Sequence, residues 1–413
     1  TGFGGQTDFC NEENSWMLDF KFSYSNTHFD LFSSLWVEPS VDSLSLAMKE
    51  IFSIEDITNH KKILEAKKLA SSFTWEKLAY SNVKFASSLN TYNSINEPRI
   101  GLISSWNQRC GIASYSENLF DNIVHKINIF APKDKIINLS KDHDVIRCWN
   151  YQQKNLDNLL RNILDRNITT VIIQFNFGFF DLIAFDQFLN LLYKNGINVI
   201  ILFHSTQEPK VLIHGFRTLL SSFSKCQRLL VHSPRDMNRF KDLGLIDNVS
   251  LFPHGLSTRK INMRTIWTRR LTNIISLGQG QISIASFGFC LPNKGFSELI
   301  QAVSLLNAKR FKIKLNIYCA LYNESYLYLV KELNQLVVDL DLVDQIIIDT
   351  SYLSEATIID NLSSADLVIF PYQFSNESSS AAARQALVSG TPIVVTPLDI
   401  FDDIESLVYK CDG

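Results

Sequence analysis

The sequence predicts an α/β protein with two doubly wound domains, each a parallel sheet with helices on both faces. From Arg99 onward, short apolar segments alternate with amphipathic segments of helical length. The apolar segments lack the alternation of strands with one face in water, which is typical of a sheet covered on both sides. The pattern restarts after a basic, irregular stretch at residues 256–273. Ligands bind beyond the carboxyl ends of such strands, so we expect the site in a cleft between the domains.

Runs of apolar residues mark the strands of both domains. The strand candidates before the basic stretch are residues 99–106, 169–176, 198–205, 228–233 and 249–253. Those after it are residues 282–289, 312–320, 345–350, 366–370 and 392–396. Between strands, segments such as 151–167 have helical periodicity. We therefore place the two domains at residues 97–257 and 274–413. The segment 1–95 has too few strand candidates for an independent sheet, and residues 90–98 are typical of a linker.

Composition excludes several classes of protein. The 413 residues are 46% hydrophobic and 20% charged, as in globular proteins. A net charge of −3 argues against a nucleic-acid partner, apart from a local basic patch at Arg264, Arg269 and Arg270. The longest apolar runs are too short to span a bilayer. The seven cysteines are dispersed without metal-ligand spacing, which predicts reduced thiols in a cytoplasmic protein.

A serine-rich helix start follows the strand at 366–370. Ser378, Ser379 and Ser380 are expected to form the first turn of a helix that ends at Gly390. The N–H groups of a first turn are unpaired, so the turn can bind phosphate; the alternative is that these serines serve only packing and capping. Beside them, the Glu377 carboxylate suits the hydroxyl-bearing part of a phosphorylated ligand, such as a nucleotide-sugar.

Two further strand-to-helix turns carry cations and glycines. Lys294 ends a loop before a helix, where its ammonium can neutralise a diphosphate; the alternative is a solvated loop lysine. In the other turn, Gly111 permits a close approach of the backbone to a ligand. Arg109 in that turn is either a phosphate ligand or a surface residue.

Polar residues end two strands of the first domain. His204 ends the strand at 198–205, where it either binds a sugar hydroxyl or is a hydrogen-bonded core residue. Gln174 and Asn176 end the strand at 169–176, on the side where we expect the acceptor. His254 is expected to make a hinge contact. These positions face the predicted cleft, because carboxyl ends of parallel strands meet at one edge of a sheet.

The sequence Asp-His-Asp at 142–144, just before a short strand, has the spacing of a metal-binding pair of aspartates. No third ligand lies near it in the sequence. We therefore expect a polar turn there, and no metal site in the protein.

Four of these segments, in this order, resemble the GT-B retaining glycosyltransferases of family 4, in particular bacterial polysaccharide and mannosyltransferase members. The segments are WNQRCGIASYSENL, RDMNRFKDLGLIDNVSLFPHG, GFCLPNKG and FPYQFSNESSSAAARQALVSGTPIVVTPL, and the resemblance covers residues 97–413. It implies two Rossmann-like domains facing across a cleft, an acceptor-side domain at 97–257 and a nucleotide-sugar-binding domain at 274–413. Lys294 matches the diphosphate-binding lysine, Glu377 matches a glutamate that contacts the donor sugar, and His204 matches a histidine beside that sugar.

The resemblance also implies the other donor-binding residues. The amides of Ser378, Ser379 and Ser380 would face the diphosphate, and Gly111 matches a glycine loop that approaches the phosphates. Two positions depart from the family pattern. Gln385 stands where a second glutamate usually binds the ribose, and Phe289 stands where an arginine often follows the glycine of the lysine loop.

The first 95 residues resemble the end of a second donor-binding domain of the same family. The segment TGFGGQTDFCNEENSWMLDF matches the region around its glycine loop, and FTWEKLA, residues 73–79, matches its closing helix. The resemblance therefore implies a piece of a tandem enzyme, in which the domain at 274–413 is truncated. We expect residues 1–95 to dock on 274–413, as in a circular permutant, where apolar surface would otherwise stay uncovered.

The resemblance implies metal-independent transfer of a sugar, with retained configuration, from a nucleotide-sugar to a saccharide or lipid-linked saccharide. Such transfer would serve the synthesis of surface polysaccharide or lipopolysaccharide. GDP-mannose is the first candidate for the donor, and no cofactor is expected besides this substrate. We expect a cytoplasmic protein, for which peripheral association with the inner face of the cytoplasmic membrane is allowed, and no nucleic-acid partner.

Two alternatives stay open. Gln385, Phe289 and the truncation favour a non-catalytic nucleotide-sugar-binding module within a larger synthase. A sugar-nucleotide epimerase of the same fold is the other alternative, but it needs further acid/base carboxylates in the cleft, to which the sequence does not point.

Overall fold

A computed structural model describes residues 1–25, 34–72, 74, 77, 79–81, 84, 98–120, 127–134, 142, 144–210, 215–256, 268, 271 and 281–411. The chain divides into two compact units. The smaller unit comprises Thr1–Pro98 and Pro234–Ile246, and the larger comprises Arg99–Ser233 and Asp247–Gly413. The larger unit contains both of the predicted parallel sheets.

The first sheet of the larger unit has seven parallel strands. In chain order they are β3 (Ile100–Ile103), β4 (Ile127–Pro132), β5 (Val145–Trp149), β6 (Thr170–Phe175), β7 (Asn198–Phe203), β8 (Arg228–Val231) and β9 (Val249–Leu251), where β1 and β2 belong to the smaller unit. Their order across the sheet is β5-β4-β3-β6-β7-β8-β9. The strand order therefore reverses between β3 and β6, which makes the carboxyl ends of these two strands the place for a ligand crevice.

The second sheet has six parallel strands. They are β10 (Gln281–Phe289), β11 (Lys312–Ala320), β12 (Ile346–Asp349), β13 (Leu367–Phe370), β14 (Ile393–Val395) and β15 (Tyr409–Lys410). Across the sheet they run β12-β11-β10-β13-β14-β15, so the order reverses between β10 and β13. The loops that carry Lys294 and Glu377 follow these two strands.

Helices flank both sheets and pack apolar faces on them. Those of the larger unit are α3 (Gly111–Phe120), α4 (Asp157–Asp165), α5 (Leu182–Lys194), α6 (Leu220–Phe223), α8 (Phe296–Ala308), α9 (Leu327–Asp339), α10 (Glu355–Ser363) and α11 (Ala381–Val388). The helices of the smaller unit whose bounds lie in the described residues are α1 (Val41–Phe52), α2 (Lys61–Ala70) and α7 (Pro234–Asp242). Short 3₁₀ segments lie at Gly5–Asp8, Ile57–Asn59, Phe216–Leu219, Glu324–Tyr326 and Asp399–Leu407. No helix in the described ranges is long and apolar enough to cross a bilayer.

Aromatic packing supports the edge of the first sheet where the polar residues lie. Phe175 and Phe203, the last residues of two neighbouring strands, are fully buried with ring centres 5.0 Å apart. Phe216 packs on both of them, at 5.6 Å from each. Because a close-packed core resists displacement, this cluster fixes the positions of Gln174 and His204, which adjoin Phe175 and Phe203 in the sequence.

The smaller unit joins the N-terminal segment to α7. Its two strands, β1 (Phe20–Tyr24) and β2 (Leu35–Pro39), pair antiparallel. The Asn238 side chain in α7 binds both main-chain groups of Phe22: its Oδ1 accepts from the Phe22 N–H at 2.7 Å, and its Nδ2 donates to the Phe22 carbonyl at 2.9 Å. Lys241 also forms an ion pair with Asp19, at 2.7 Å. Within the described residues, the hairpin is therefore held to a helix that belongs to the range 97–257.

Docking of residues 1–95 on 274–413 stays a prediction. This prediction depends on the segment at residues 73–79. Four residues of that segment lie outside the described residues, namely Phe73, Trp75, Glu76 and Leu78. The predicted basic patch at Arg264, Arg269 and Arg270 also lies outside them. All seven cysteines are free, and Cys148, Cys226, Cys290 and Cys319 are buried.

The structure departs from the sequence-based elements in three places. The helix predicted at 151–167 begins only at Asp157, because Gln152 has a positive φ of 53° and residues 151–152 form a turn. Ser378 and Ser379 precede α11, which begins at Ala381 with Ser380 as its N-cap. Strands β1, β2, β4 and β15 are not among the candidates; β15 is only two residues long, too short to give a sequence signal.

Candidate functional site

Lys294 lies on a loop that the second sheet positions tightly. The loop runs from the end of β10 to Gly295, which caps α8 in the left-handed conformation with φ 75°. The carbonyl of Asn293 accepts a hydrogen bond from the Gln373 N–H at 2.8 Å. A Cβ atom at Gly295 would lie 1.7 Å from the Pro371 carbonyl oxygen. The lysine loop is therefore packed directly against the segment that follows β13.

The Lys294 ammonium lies over the ring of Tyr372, 3.8 Å from its centre. Tyr372 is fully buried at the end of β13, so this contact is firmly placed. Burial lowers the pKa of Lys294, but Tyr372 and the carboxylate of Glu377 outweigh it, and the pKa is raised above its ordinary value. Lys294 is therefore a cation at neutral pH and interacts electrostatically with the carboxylate of Glu377.

The loop that carries Glu377 is attached to the first sheet. The Ser378 N–H donates to the carbonyl of His204 at 3.1 Å, and the Ser205 hydroxyl donates to the carbonyl of Asn376 at 2.6 Å. Glu377 itself is exposed between these two anchors, and its N–H donates to the Ser375 hydroxyl at 3.2 Å. The fold thus brings Glu377 and His204, far apart in the sequence, to one place.

The three serines are arranged differently from the prediction of a phosphate-binding first turn. The Ser378 N–H donates to the carbonyl of His204 in this structure. The Ser379 hydroxyl donates to the buried carboxylate of Asp403 at 2.8 Å, and the Ser380 hydroxyl caps α11 by accepting from the Ala383 N–H at 3.2 Å. The capping alternative describes Ser380, and phosphate binding by the three amides stays a prediction.

Gln385 and Phe289, the two departures from the family pattern, differ in their surroundings. Gln385 is half-buried on α11. Phe289 packs edge-on against Tyr322 with ring centres 5.5 Å apart, and parallel to Tyr352 at 6.3 Å. Phe289 thus joins an aromatic cluster at the carboxyl edge of the second sheet, where both tyrosines are partly exposed.

His204 is paired with Gln174 across neighbouring strands. The two side chains meet at 2.7 Å between Nε2 and Oε1. Because the amide oxygen is assigned to this contact, Nε2 of His204 carries the proton and donates it. Nδ1 is then unprotonated and can accept a hydrogen bond. Burial, followed by the nearby His232 and His254, holds the pKa of His204 well below its ordinary value. His204 is therefore neutral at physiological pH and can take part in hydrogen bonds without charge.

A cluster of three histidines around Tyr115 is the part of the site that sequence reasoning missed. The Tyr115 ring centre lies 4.9 Å from that of His204, 5.6 Å from that of His232 and 4.7 Å from that of His254. The histidines follow β7, β8 and β9, which are neighbours in the sheet, and Tyr115 reaches them from α3. The only sequence signal was a histidine shortly after each of three successive strands.

The remaining predicted residues lie around this edge. Arg109 is exposed, with its guanidinium carbon 5.5 Å from the centre of the Tyr352 ring. At Gly111, the first residue of α3, a Cβ atom would meet nothing within 4 Å. Asn176 accepts a hydrogen bond from the Gly178 N–H at 2.8 Å, which closes a turn. Arg109, Gly111 and Asn176 therefore follow β3 and β6, the strands between which the order of the first sheet reverses, whereas His204 follows β7.

The Asp142–Asp144 segment forms no metal site among the described residues. Both carboxylate oxygens of Asp142 accept from Arg147, at 2.8 Å and 2.6 Å, and His143 lies outside the described part of the chain. Elsewhere in the described ranges, no group of three histidine, cysteine, aspartate or glutamate side chains is placed to hold a metal ion.

Acid is expected to destabilise the folded chain through the histidine cluster. Burial, then Arg384 and His232, lower the pKa of His254 to about 3, and the pKa of His204 is also lowered. Both rings gain a proton on unfolding below pH about 6.5. Because the unfolded state then binds more protons, the free energy of unfolding falls as pH falls from about 6.5 toward 3, by up to about 1.4 kcal/mol per pH unit for each ring.

Urea unfolding at about pH 7.5, 6 and 5 measures this dependence. His254→Asn removes one of the two titrating rings, so its free energy of unfolding should fall less steeply over the same range. An equal slope in both proteins would assign the acid sensitivity to other groups.

The chain is similar in fold to several solved structures. A scan against protein-family models finds no match, and a search of curated proteins finds none either. Among solved structures, HepE (Alr3699) of Anabaena in complex with UDP and glucose has a TM-score of 0.60 at 12% identity, over 77% of this chain and 86% of that chain. Sucrose-phosphate synthase of Thermosynechococcus elongatus has a TM-score of 0.54 at 13% identity, over 74% and 83%.

Trehalose-6-phosphate synthase OtsA has a TM-score of 0.56 at 12% identity, over 76% of this chain and 88% of that chain. These similar structures are GT-B glycosyltransferases. At such identities the likeness establishes architecture, and it agrees with the two parallel sheets and their flanking helices. The predicted fold class is confirmed: the chain has the α/β architecture of the GT-B fold.

Proposed function

We propose that the protein transfers a sugar from a nucleotide-sugar to a saccharide acceptor, with retention of configuration. One observation carries the proposal. Lys294, Glu377 and His204 come from three distant segments, yet the Glu377 charge acts on Lys294 and the residue after Glu377 is bonded to His204. A cation, a carboxylate and a neutral imidazole at one edge suit a ligand that combines a diphosphate with hydroxyl groups.

Each of the three residues has a distinct role in the proposed reaction. As the bond between the sugar and the diphosphate breaks, negative charge grows on the departing phosphate, and the Lys294 ammonium stabilises it electrostatically. Glu377 accepts hydrogen bonds from sugar hydroxyls and so orients the donor. His204, held by Gln174, makes uncharged hydrogen bonds to the same sugar. Gly111, where neither φ nor a neighbour requires glycine, leaves room for phosphates near the α3 backbone.

In this proposal no side chain forms a covalent bond with the sugar. The acceptor hydroxyl attacks the face from which the diphosphate leaves, and a departing phosphate oxygen takes its proton, which preserves the configuration. Metal independence belongs to the proposal, with Lys294 supplying the charge. Asn176 and Arg109 are assigned to the acceptor side. Gln174, which the sequence also placed on that side, is bonded to His204 and is assigned with it to the donor sugar.

The donor and the pathway are proposed in general terms. The resemblance to polysaccharide-building enzymes favours GDP-mannose, and the similar HepE structures were solved with UDP and with UDP-glucose. We propose a nucleoside diphosphate-hexose, used in surface polysaccharide or lipopolysaccharide synthesis, with a saccharide or lipid-linked saccharide as acceptor. Peripheral membrane association would follow from a lipid-linked acceptor.

A non-catalytic nucleotide-sugar-binding module is the second candidate. Gln385 and Phe289 favour it, because each replaces a charged residue of the family pattern by a neutral one. Such a module would bind the donor without releasing nucleoside diphosphate from it.

A thermal-shift screen across GDP-, UDP- and ADP-sugars, followed by an assay of nucleoside diphosphate release, tests the proposal. We expect one donor class to raise the melting temperature and to be turned over. Glu377→Ala is expected to lower turnover by about 10- to 100-fold, because the donor sugar loses a charged hydrogen-bond partner. The exposed helix residue Glu332 provides the control, and Glu332→Ala should release nucleoside diphosphate at the rate of the wild type.

The outcomes of this experiment separate the candidates. If a donor raises the melting temperature but neither the wild type nor either variant releases nucleoside diphosphate from it, the binding module is favoured. Equal turnover by the wild type and Glu377→Ala would remove Glu377 from the mechanism. The absence of any shift or turnover with the wild type would overturn the proposed function.

A further inference from the structure

Two buried hydrogen-bond donors at the histidine cluster have no protein partner. Tyr115 is 7% exposed and Gln174 is 0% exposed. Among the described residues, neither the Tyr115 hydroxyl nor the Gln174 Nε2 has a hydrogen-bond partner. Both side chains contact the same imidazole: Gln174 binds His204 through its Oε1, and Tyr115 packs edge-on against the ring.

Two other part-buried tyrosines of this unit do have partners. The Tyr193 hydroxyl donates to the Ser222 carbonyl at 2.8 Å, and the Tyr151 hydroxyl donates to the Gln108 Oε1 at 2.8 Å. A buried polar group without a partner costs free energy, which is why such groups are rare away from functional sites. Tyr115 differs in this respect from these two tyrosines and needs an explanation, and Gln174, which contacts the same histidine, needs the same one.

We propose that the Tyr115 hydroxyl and the Gln174 amide donate hydrogen bonds to hydroxyl groups of the sugar that is transferred. The inference rests on the proposed function, since it assigns two further contacts to the same donor site. It gives Gln174 a second role beside the orientation of His204. Tyr115 becomes a specificity-determining residue, because a fixed buried donor favours sugars with a hydroxyl at the matching position.

The chemistry of the surroundings favours sugar hydroxyls over phosphate. His204 and His254 are neutral, since burial is the main cause that lowers the pKa of each ring. The guanidinium of Arg384, whose charge contributes to the lowered pKa of His254, is buried in an ion pair with Asp403, which balances its charge. Neutral donors among neutral rings suit an uncharged group with many acceptor oxygens, which is the character of a hexose.

Tyr115→Phe tests the inference, because it removes the hydroxyl and keeps the ring that packs on the histidines. The matched control is Tyr193→Phe, which removes a hydroxyl that has partners away from the cluster. For the wild type and both variants, calorimetry measures affinity for UDP, UDP-glucose, GDP, GDP-mannose, ADP and ADP-glucose, and thermal unfolding without ligand measures stability.

We expect opposite results for the two variants. Tyr115→Phe loses no protein hydrogen bond, so its melting temperature should equal or exceed that of the wild type, whereas Tyr193→Phe should melt lower. The gain in affinity from adding the sugar to the nucleoside diphosphate should fall roughly 5- to 10-fold in Tyr115→Phe and stay unchanged in Tyr193→Phe. Affinity for UDP or GDP alone should be the same in all three proteins.

Three results would overturn the inference while leaving the proposed function intact. The first is an equal gain in affinity from the sugar in the wild type and in Tyr115→Phe. The second is a wild type that turns the donor over but gains no affinity from its sugar. The third is a loss of stability in Tyr115→Phe as large as the loss in Tyr193→Phe. If the wild type binds no nucleotide-sugar of the panel, the proposed function fails, and the inference fails with it.

Discussion

Replacement of Lys294 by methionine is expected to lower the rate of sugar transfer by about 10²- to 10³-fold, the largest effect on activity that we predict. The ammonium is half-buried against Tyr372, and its pKa is raised, so it is a full positive charge in the site at neutral pH. Methionine keeps much of the length of the side chain but removes the charge that stabilises the departing diphosphate. The measurement is kcat/KM for the donor found in the screen.

A surface lysine provides the control for this prediction. Lys331 is exposed on α9, so Lys331→Met removes the same charge from the chain without touching the site. Its kcat/KM should match that of the wild type. If Lys294→Met kept full activity while remaining folded, the leaving group would have to be stabilised by other groups, and the proposed mechanism would be wrong.

Replacement of Gly295 by alanine is expected to cause the largest loss of stability that we predict for a single substitution. The positive φ of 75° alone costs about 1–2 kcal/mol for a residue with a Cβ atom. The added atom would also lie 1.7 Å from the Pro371 carbonyl oxygen, which belongs to the main chain and cannot rotate away. We expect a total loss of roughly 3–5 kcal/mol, with a fall in melting temperature of about 4–8 °C for a unit of this size.

Gly196 separates the two causes of this loss. It has a similar φ of 70°, but a Cβ atom there would meet nothing within 4 Å. Gly196→Ala therefore reports the cost of the backbone conformation alone, about 1–2 kcal/mol. Equal losses in the two variants would mean that the lysine loop shifts freely away from Pro371, contrary to the tight packing described above.

Much of the fold is predictable from apolar segments. Ten strand candidates coincide with observed strands, since residues buried on both faces of a sheet must be apolar along their whole length. The missed strands carry weak signals. Strand β4 ends in Pro132, and β15 consists of Tyr409 and Lys410, neither of which is buried. Strand β15 lies at the edge of its sheet, where burial constrains the sequence less, whereas β4 lies between two strands and its last three residues are buried.

The site is less predictable than the fold. The lysine loop could be located because its proline and glycine mark a strand-to-helix turn, and the structure agrees with that placement. The engagement of the Ser378 amide by His204 could not be predicted, because it joins residues that are far apart in the chain. The same holds for Tyr115, whose isolated position in an amphipathic helix is indistinguishable from that of a core residue.

By itself, the sequence determined the α/β class, the two parallel sheets and the turns that carry Lys294 and Glu377. These follow from local patterns, because burial, φ preferences and capping act on neighbouring residues. Which of these turns lie in contact with one another depends on the tertiary structure. Strand order places β7, β8 and β9 side by side, so that three histidines surround Tyr115, and it attaches the Glu377 loop to His204. Contacts between distant segments depend on the packing of whole sheets, which no local pattern encodes.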